Sequence, residues 1–109
     1  MESPTEVDIA WAAGLFEGEG CVHLYRGRYV HLSLEMTDED VVRRFAKIVG
    51  ATVYGPYAPR GAGSRKLSWQ AQICARPAAE VVFKAFSPYL GMRRKEKVNE
   101  VLCASKALW

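Results

Sequence analysis

Two glutamates follow two glycines in the segment Trp-Ala-Ala-Gly-Leu-Phe-Glu-Gly-Glu-Gly at positions 11–20. Carboxylates are the ligands that Mg²⁺ and other hard cations prefer, so Glu17 and Glu19 could help to hold a metal ion that assists hydrolysis. Gly14 and Gly18 lie four residues apart, on one face of a helix, where a second helix could approach to backbone distance. Because each glycine weakens a helix by ~1 kcal/mol relative to alanine, the pair favours a helix interface. The alternative is a glycine-rich helix end with two solvated glutamates.

A helix must position these residues, and the sequence predicts one from near residue 4 to about Gly18. The segment Ser3-Pro4-Thr5-Glu6 fits a capping box with proline at the first helical position. Apolar residues nearly encircle the predicted helix, as expected when a helix packs on two sides. One side can face the core of its own chain and the other a partner.

A β-hairpin follows, because residues 21–26 and 29–36 alternate between apolar and polar on either side of Gly27-Arg28. The side chains expected on the buried face are Val22, Leu24, Val30, Leu32, Leu34 and Met36. Those expected on the opposite face are His23, Tyr25, Tyr29, His31, Ser33 and Glu35. This second face is polar and aromatic without lysine, which suits contact with the base edges of DNA. An ordinary solvated sheet face is the alternative.

A second helix and hairpin continue the alternation. Thr37 is expected to cap a helix at 37–49 that Gly50 ends, and strands are expected at 52–57 and 67–74. In the last strand the expected inward residues are Leu67, Trp69, Ala71 and Ile73, and the outward residues are Ser68, Gln70 and Gln72. Since glutamine pairs bidentately with adenine, Gln70 and Gln72 are the best candidates for reading bases.

The connection at 58–66 carries Arg60, Arg65 and Lys66, whose charges suit contact with a DNA backbone, although a disordered loop tip is the alternative. Beyond it, Pro77 is expected to open a helix to about Phe86. A final amphipathic helix is expected at 92–105.

Composition and charge limit the class of protein. The chain has 109 residues, half of them hydrophobic, which favours one folded domain at 1–109 over disorder. The first forty residues carry nine acids against two bases, whereas the rest carry thirteen bases against three acids, so the second part is expected to face a polyanion. Three cysteines without ligand spacing speak against a disulfide framework or a zinc site. With no apolar run of ~18–20 residues and no signal peptide, we expect a cytoplasmic protein without membrane contact.

Residues 12–20, Ala-Ala-Gly-Leu-Phe-Glu-Gly-Glu-Gly, resemble the LAGLIDADG motif of homing endonucleases, with alanine for the first leucine and glutamate at both aspartate positions. The order of predicted elements, through a Pro-Tyr-Leu turn into a basic helix, resembles that family over most of the chain. The resemblance implies an α+β fold of αββαββα order, whose antiparallel sheet forms a DNA-binding saddle. It also implies double-strand cleavage of DNA and a role in intron or intein mobility.

The resemblance also implies roles for individual residues. A chain with one motif would form a homodimer through the motif helix, with a predicted interface of Ala10, Ala13, Gly14, Glu17 and Gly18. Glu19 matches the metal-binding acidic position and the Gly18 carbonyl is a further ligand, whereas Glu17 would make a polar contact across the helix pair. The cofactor would be Mg²⁺ or Mn²⁺, with Ca²⁺ supporting binding without cleavage and no organic cofactor.

The basic helper of the reaction would be Arg93, at a position where the family usually has a lysine. Arginine keeps the charge but cannot carry a proton, so its role would be to stabilise charge, with Lys95 as the second candidate. The family often has glutamine at the start of the second helix, whereas this chain has Thr37-Asp38, which leaves the role of Asp38 open.

Two-fold symmetry predicts a roughly palindromic target. Outward strands of six to eight residues span ~20–27 Å, or ~6–8 base pairs, so two sheets and a central gap cover about twenty base pairs. Two other functions stay open. The first is a LAGLIDADG protein that binds without cutting, as a regulator or intron maturase, and the second is a small RNA-binding module whose exposed aromatics stack on bases.

Overall fold

The helices and strands of this protein are described from a computed structural model, which covers residues 3–59 and 66–107, with side chains to residue 105. The elements in chain order are α1 (Glu6–Glu19), β1 (Gly20–Tyr25), β2 (Tyr29–Met36), α2 (Glu39–Val49), β3 (Thr52–Tyr57), β4 (Ser68–Ile73), α3 (Arg76–Phe86) and α4 (Met92–Ala107), with a 3₁₀ turn at Ser87–Tyr89 before α4.

The first helix begins later than the sequence pattern predicts. Thr5 is the N-cap, and its hydroxyl accepts a hydrogen bond from the Asp8 N–H at 3.1 Å while the Asp8 carboxylate accepts one from the Thr5 N–H at 3.0 Å. This reciprocal capping box satisfies two backbone donors and leaves Ser3 and Pro4 outside the helix. The predicted capping box at residues 3–6 is therefore wrong, and the helix begins two residues after the predicted start near residue 4. The helix ends on Glu19.

The four strands of the described residues pair antiparallel in the order β1-β2-β4-β3. The first hairpin has the predicted register, with Val22 opposite Leu32 and His23 opposite His31. Val22, Val30, Leu32 and Leu34 are buried as predicted, while Leu24 and Met36 are half-buried. Because alternate residues of a strand face opposite sides, this register places all the predicted polar residues of the hairpin on the other, outer face.

The core lies between the inner face of the sheet and the helices. Phe16 of α1 packs against Phe83 and Phe86 of α3, with ring centroids 5.8 and 5.7 Å apart, and Phe45 of α2 lies 6.3 Å from Phe86. All four rings are fully or nearly fully buried. This cluster fixes the side of α1 that faces its own chain.

Two local predictions between residues 37 and 67 are wrong, one for the start of β4 and one for the N-cap of α2. Leu67 is exposed, because β4 begins at Ser68, where it pairs with Tyr57, and Leu67 therefore precedes the ladder. The N-cap of α2 is Asp38 and not Thr37, and the Asp38 side chain makes no capping hydrogen bond. Gly50 ends α2 as predicted, with φ +76°, a conformation that glycine adopts without a Cβ penalty.

The architecture confirms the predicted α+β class, in which an antiparallel sheet carries helices on one face. No helix within the described residues has the length and apolar character needed to cross a membrane.

Candidate nucleic-acid interface and catalytic centre

The outward side of α1 is a stripe of small residues. Gly14 and Gly18 are exposed, and beyond the chain neighbours and the helix's own backbone no described atom lies within 4 Å of where a Cβ of either residue would be. Val7 lies seven residues before Gly14 on the same side and is 74% exposed. The packing of this chain therefore does not require glycine at either position, so the cost of two helical glycines has no explanation inside the chain.

The predicted interface residues divide between the two sides of α1. Ala10 is half-buried and lies beside the glycine stripe. Ala13 has no accessible surface, because it lies one turn from Phe16 on the core side of the helix. The assignment of Ala13 to a partner-facing surface is therefore wrong.

Glu19 occupies the last position of α1 and is exposed. Its carboxylate is thus held at the end of a rigid helix, beside the exposed Gly18, where a substrate or second chain can reach it. Helix ends expose backbone carbonyls that lack intrahelical donors, so the end of α1 offers carbonyl as well as carboxylate oxygens.

Glu17 is turned toward its own chain. Its Oε1 accepts a hydrogen bond from the Gly91 N–H at 3.2 Å, and its Oε2 lies 3.9 Å from Nε of Arg94. Oε2 is buried and has no hydrogen-bond partner in the described structure, so this contact is an ion pair without a hydrogen bond. These contacts of Glu17 connect α1 to the start of α4. The predicted contact of Glu17 with the motif helix of a second chain stays a prediction.

Arg94 is the basic residue that the structure brings to the end of the motif helix. Its two terminal nitrogens donate to the carbonyl oxygens of Gly20 at 3.0 Å and Glu17 at 2.9 Å, and its guanidinium lies 5.3 Å from the ring centre of Phe16. Arginine's fork of donors suits this double contact, and the positive charge suits a helix C-terminus. Arg94 therefore holds the end of α1 in place on both sides of Gly18 and Glu19.

Replacing Arg94 by methionine is expected to lower the free energy of unfolding by about 2–3 kcal/mol. The variant keeps a similar stem but leaves two carbonyls and the Glu17 carboxylate without their cationic donor. Urea unfolding followed by circular dichroism measures the change. Arg93→Met is the matched control, because Arg93 is exposed and its loss should cost less than ~0.5 kcal/mol. Equal losses in the two variants would contradict this role.

The two predicted basic helpers lie on different sides of α4. Arg93 is exposed at the first turn of the helix. Lys95 is half-buried and lines a groove between α3 and α4 with Glu80 and Lys84, so it does not lie at the end of α1. The buried Val98 and Val101 fix this rotation of α4. The catalytic role of Lys95 stays a prediction, which its position on the α3 side of the helix does not favour.

The outer face of the sheet carries a continuous row of polar side chains from β2 to β4. Glu35 accepts hydrogen bonds from the Ser68 hydroxyl at 2.7 Å and from Nε2 of Gln70 at 3.0 Å. Nε2 of Gln72 in turn donates to Oε1 of Gln70. The structure therefore joins these predicted base-reading residues in one network.

A histidine pair lies on the β1–β2 side of the same face. Nδ1 of His31 and Nε2 of His23 are 3.2 Å apart, and Tyr25 lies beside His31 with ring centroids 6.1 Å apart. Nε2 of His31 is buried and has no hydrogen-bond partner among the described residues. An unpaired buried polar atom costs about 1–3 kcal/mol, which a hydrogen bond from a bound ligand would offset.

The pKa of His23 is lower than its ordinary value of 6.5. The main cause is the partial burial of the ring, which disfavours its charged form, and the nearby His31 and Lys97 add to the effect by repelling a positive charge on His23. The folded protein therefore binds this proton less readily than the unfolded chain. The stability that the neutral ring provides is present above pH 6.5 and is lost as the pH falls through the lower, folded-state pKa.

We therefore expect the wild-type protein to lose more unfolding free energy than the variant His23→Gln between about pH 7.5 and pH 5.5. Chemical unfolding curves across this range, without nucleic acid, measure the difference between the two proteins. A difference that is independent of pH would contradict the assignment.

The structure adds one residue, Tyr54, to the predicted outer face, and it identifies Lys97 of α4 as a cation that acts on His23. Two other predicted residues lie outside the part of the chain that the structure describes. Tyr54 of β3 pairs with Gln70 and is 45% exposed. The sequence analysis missed Tyr54 because the glycine and the proline that follow it interrupt the strand pattern. Lys97 lies one turn after Arg94 in a run of basic residues, which does not show which of them lie near His23. Lys66 is exposed. The remaining predicted loop residues, Arg60 and Arg65, lie outside the described residues.

The donors at the end of α1 fit a hard divalent cation only as part of a shared site. Glu19 supplies a carboxylate and Gly18 a carbonyl, which are the oxygen ligands that Mg²⁺ and Ca²⁺ prefer. Within residues 3–59 and 66–107, the structure contains no group of three or more histidine, cysteine or acidic side chains arranged to hold a metal. Further ligands would have to come from water, substrate or a second copy of the chain.

The sequence matches no protein-family model and no curated protein. The fold, however, is similar to those of solved homing endonucleases. I-CvuI in complex with the I-CreI target matches with a TM-score of 0.71 and 20% identity over 93% of this chain and 67% of that chain. I-TnaI matches at 0.62 and 15% over 92% and 70%. The group I intron-encoded I-CeuI, complexed with DNA, matches at 0.61 and 14% over 99% and 56%.

A LAGLIDADG meganuclease, I-CpaMI bound to uncleaved DNA, also matches, with a TM-score of 0.57 and 15% identity over 80% of this chain and 32% of that chain. The chain therefore has the fold of the LAGLIDADG homing endonucleases, as its residues 12–20 predict.

Proposed function

We propose that this protein is a homing endonuclease that cuts both strands of a long, pseudo-palindromic DNA site as a homodimer. The observation that carries the proposal is the exposed carboxylate of Glu19 at the end of a helix whose open outer side is a glycine stripe. Similar solved structures support the substrate class, because I-CvuI and I-CeuI were determined in complex with DNA.

Dimerisation would bring two catalytic centres together. If the exposed side of α1, with Gly14 and Gly18, packs against its copy, the two helices can approach until their backbones touch. Two-fold symmetry then places both Glu19 carboxylates at the same end of the helix pair, where their mutual repulsion favours binding of divalent cations.

Glu19 and the Gly18 carbonyl would hold the cation, with Mg²⁺ or Mn²⁺ supporting cleavage and Ca²⁺ supporting binding alone. One similar structure, I-CvuI with the I-CreI target, holds uncleaved DNA at 2 mM Mg, and another holds its target with 2 mM Ca. When bound, a divalent cation supplies an activated water and neutralises charge on the phosphate. Arg94 fixes the end of α1 that presents Glu19, through its bonds to the carbonyls of Glu17 and Gly20.

The other residues of the proposed reaction bind DNA. Arg93 is exposed close to the Gly91 contact with α1 and would stabilise charge on the phosphate, without transferring a proton. The outer sheet face would lie in a major groove, where glutamine, histidine and tyrosine side chains meet base edges. The buried, unpartnered Nε2 of His31 is one atom that such a contact would satisfy.

Selection from a randomised duplex DNA library in Ca²⁺, with single-stranded RNA as competitor, tests the binding part of the proposal. We expect enrichment of one pseudo-palindromic duplex site of about twenty base pairs that RNA does not displace. Displacement by RNA would favour an RNA-binding module in which Tyr25 and Tyr29 stack on bases. Enrichment without cleavage in either Mg²⁺ or Mn²⁺ would favour a regulator or an intron maturase.

A further inference from the structure

One carboxylate lies in the middle of the outer sheet face. Glu35 is the only acidic residue within the four described strands, which contain no lysine or arginine. On a surface that meets DNA phosphates, a negative charge opposes binding. Its place on this face therefore needs an explanation other than attraction to DNA.

The hydrogen bonds of Glu35 provide that explanation. An ionised carboxylate only accepts hydrogen bonds, so Gln70, directly opposite on β4, must present its amide nitrogen and not its oxygen to Glu35. The Ser68 hydroxyl donates to the other carboxylate oxygen at 2.7 Å. Both oxygens are thus engaged, and the amide of Gln70 is held in one of its two orientations.

This orientation passes to the next glutamine. Because the amide nitrogen of Gln70 donates to Glu35, its amide oxygen points toward Gln72. Gln72 can bond to that oxygen only by donating from its own amide nitrogen. The oxygen of Gln72 takes no part in the row, so Gln72 keeps an acceptor together with its second N–H. Adenine requires this combination, since its N6 group donates and its N7 accepts.

We propose that Glu35 determines base specificity by fixing the orientations of the Gln70 and Gln72 amides. Glu35 acts as a positioning residue, so that Gln72 reads adenine in a bidentate pair and Gln70 offers an N–H to a base acceptor. The inference rests on the proposed DNA-binding function and refines it. Of the two glutamines that the sequence nominates for adenine, the network assigns that pairing to Gln72.

The variant Glu35→Gln tests this role, because glutamine has the same shape but can either donate or accept, so it no longer fixes the amide of Gln70. Bound sequences are selected from a randomised duplex library with the full chain, and affinity for an unrelated duplex is measured in parallel. We expect the preference at one or two adjacent base pairs in each half-site to fall by ~10-fold or more, because a bidentate pair provides discrimination of that order. Affinity for the unrelated duplex should stay equal or rise, since a negative charge is removed.

Two further variants separate orientation from charge and from folding. Ser68→Ala removes one bond to Glu35 without changing charge and should relax the same base pairs less. Glu100→Gln makes the same charge change at an exposed site on α4 and should leave the selected sequence unchanged. Without DNA, the NMR signals of the Gln70 and Gln72 side-chain amides should shift in Glu35→Gln and not in Glu100→Gln.

Failure of the Glu35 role and failure of the proposed DNA-binding function give different results in these experiments. If the wild-type protein selects a site and Glu35→Gln selects the same site with the same preferences, the positioning role is overturned while the DNA-binding function stands. Unchanged amide signals in Glu35→Gln would overturn the role in the same way. If the wild-type protein selects no duplex, the proposed function fails, and the specificity role fails with it.

Discussion

Replacing Glu19 by glutamine is expected to reduce DNA cleavage in Mg²⁺ by at least ~10²–10³-fold and to leave binding in Ca²⁺ within about threefold. The loss follows because the amide is a weak metal ligand and carries no charge, while the residue stays at the exposed end of α1. Single-turnover cleavage of the selected site measures the rate, and gel-shift titration measures the affinity.

Glu100→Gln is the control for this prediction, because it removes one exposed carboxylate of the same length from α4. It should cleave at the wild-type rate. Cleavage by Glu19→Gln at a rate within about threefold of wild type would contradict the assignment of Glu19 to the metal. Loss of binding together with cleavage would indicate a structural role for Glu19.

The second large effect is expected from leucine at Gly14. Apart from its chain neighbours and the backbone of its own helix, no described atom lies within 4 Å of the position that a Cβ would occupy, so the single chain should keep its fold. In the proposed dimer the change acts twice across the symmetry axis, and overpacking costs about 1–3 kcal/mol at each copy. The two copies together cost about 2–6 kcal/mol, so the dissociation constant of the dimer should rise by ~30-fold or more, and double-strand cleavage should fall with it.

Analytical ultracentrifugation over a range of concentrations measures this effect. Gly14→Ala should raise the free energy of unfolding of the separated chain, because alanine favours helix by ~1 kcal/mol relative to glycine. It should also weaken the dimer, because it adds a methyl group to the contact between the two helices. Ala78→Leu, at an exposed small residue of α3, is the control and should leave the association unchanged. A Gly14→Leu protein that dimerises as the wild type does would show that the glycine stripe is not the interface.

The sequence predicted the sheet well because its two-residue alternation depends on local burial. Val22 and Leu32 face inward and His23 and His31 outward, in the predicted register. Leu67 shows the limit of this reasoning, since an apolar residue just before a strand follows the alternation without being paired or buried. Likewise, the capping box formed by Thr5 competes with an equally good pattern two residues earlier.

The sequence could not show which basic residue of α4 lies at the end of α1. That depends on the rotation of the helix, and the run of bases in its first two turns does not reveal it. The sequence analysis names Arg93 and Lys95 as candidates, and Arg94 and Lys97 lie in the same run of bases. Tertiary packing selects among them, because the buried Val98 places Arg94 on the inward side, one turn earlier. That rotation turns Lys95 toward α3 and leaves Arg93 exposed.

The core side of the motif helix was similarly ambiguous. Apolar residues almost encircle α1, so its sequence does not show which alanines belong to the core. The aromatic cluster around Phe16 decides this by burying Ala13 and leaving Gly14 open. The contacts of Glu17 could not be predicted from the sequence either, because its partners Gly91 and Arg94 lie more than seventy residues away along the chain.

The most direct test of the proposed function is to incubate the wild-type protein with a randomised duplex library in Mg²⁺ and to sequence the ends that it produces. We predict cuts on both strands at a single pseudo-palindromic site, placed symmetrically about its centre, as two Glu19 carboxylates related by a two-fold axis would produce. Ends scattered without a common sequence, or no cut duplex at all, would contradict the assignment of this chain as a site-specific DNA endonuclease.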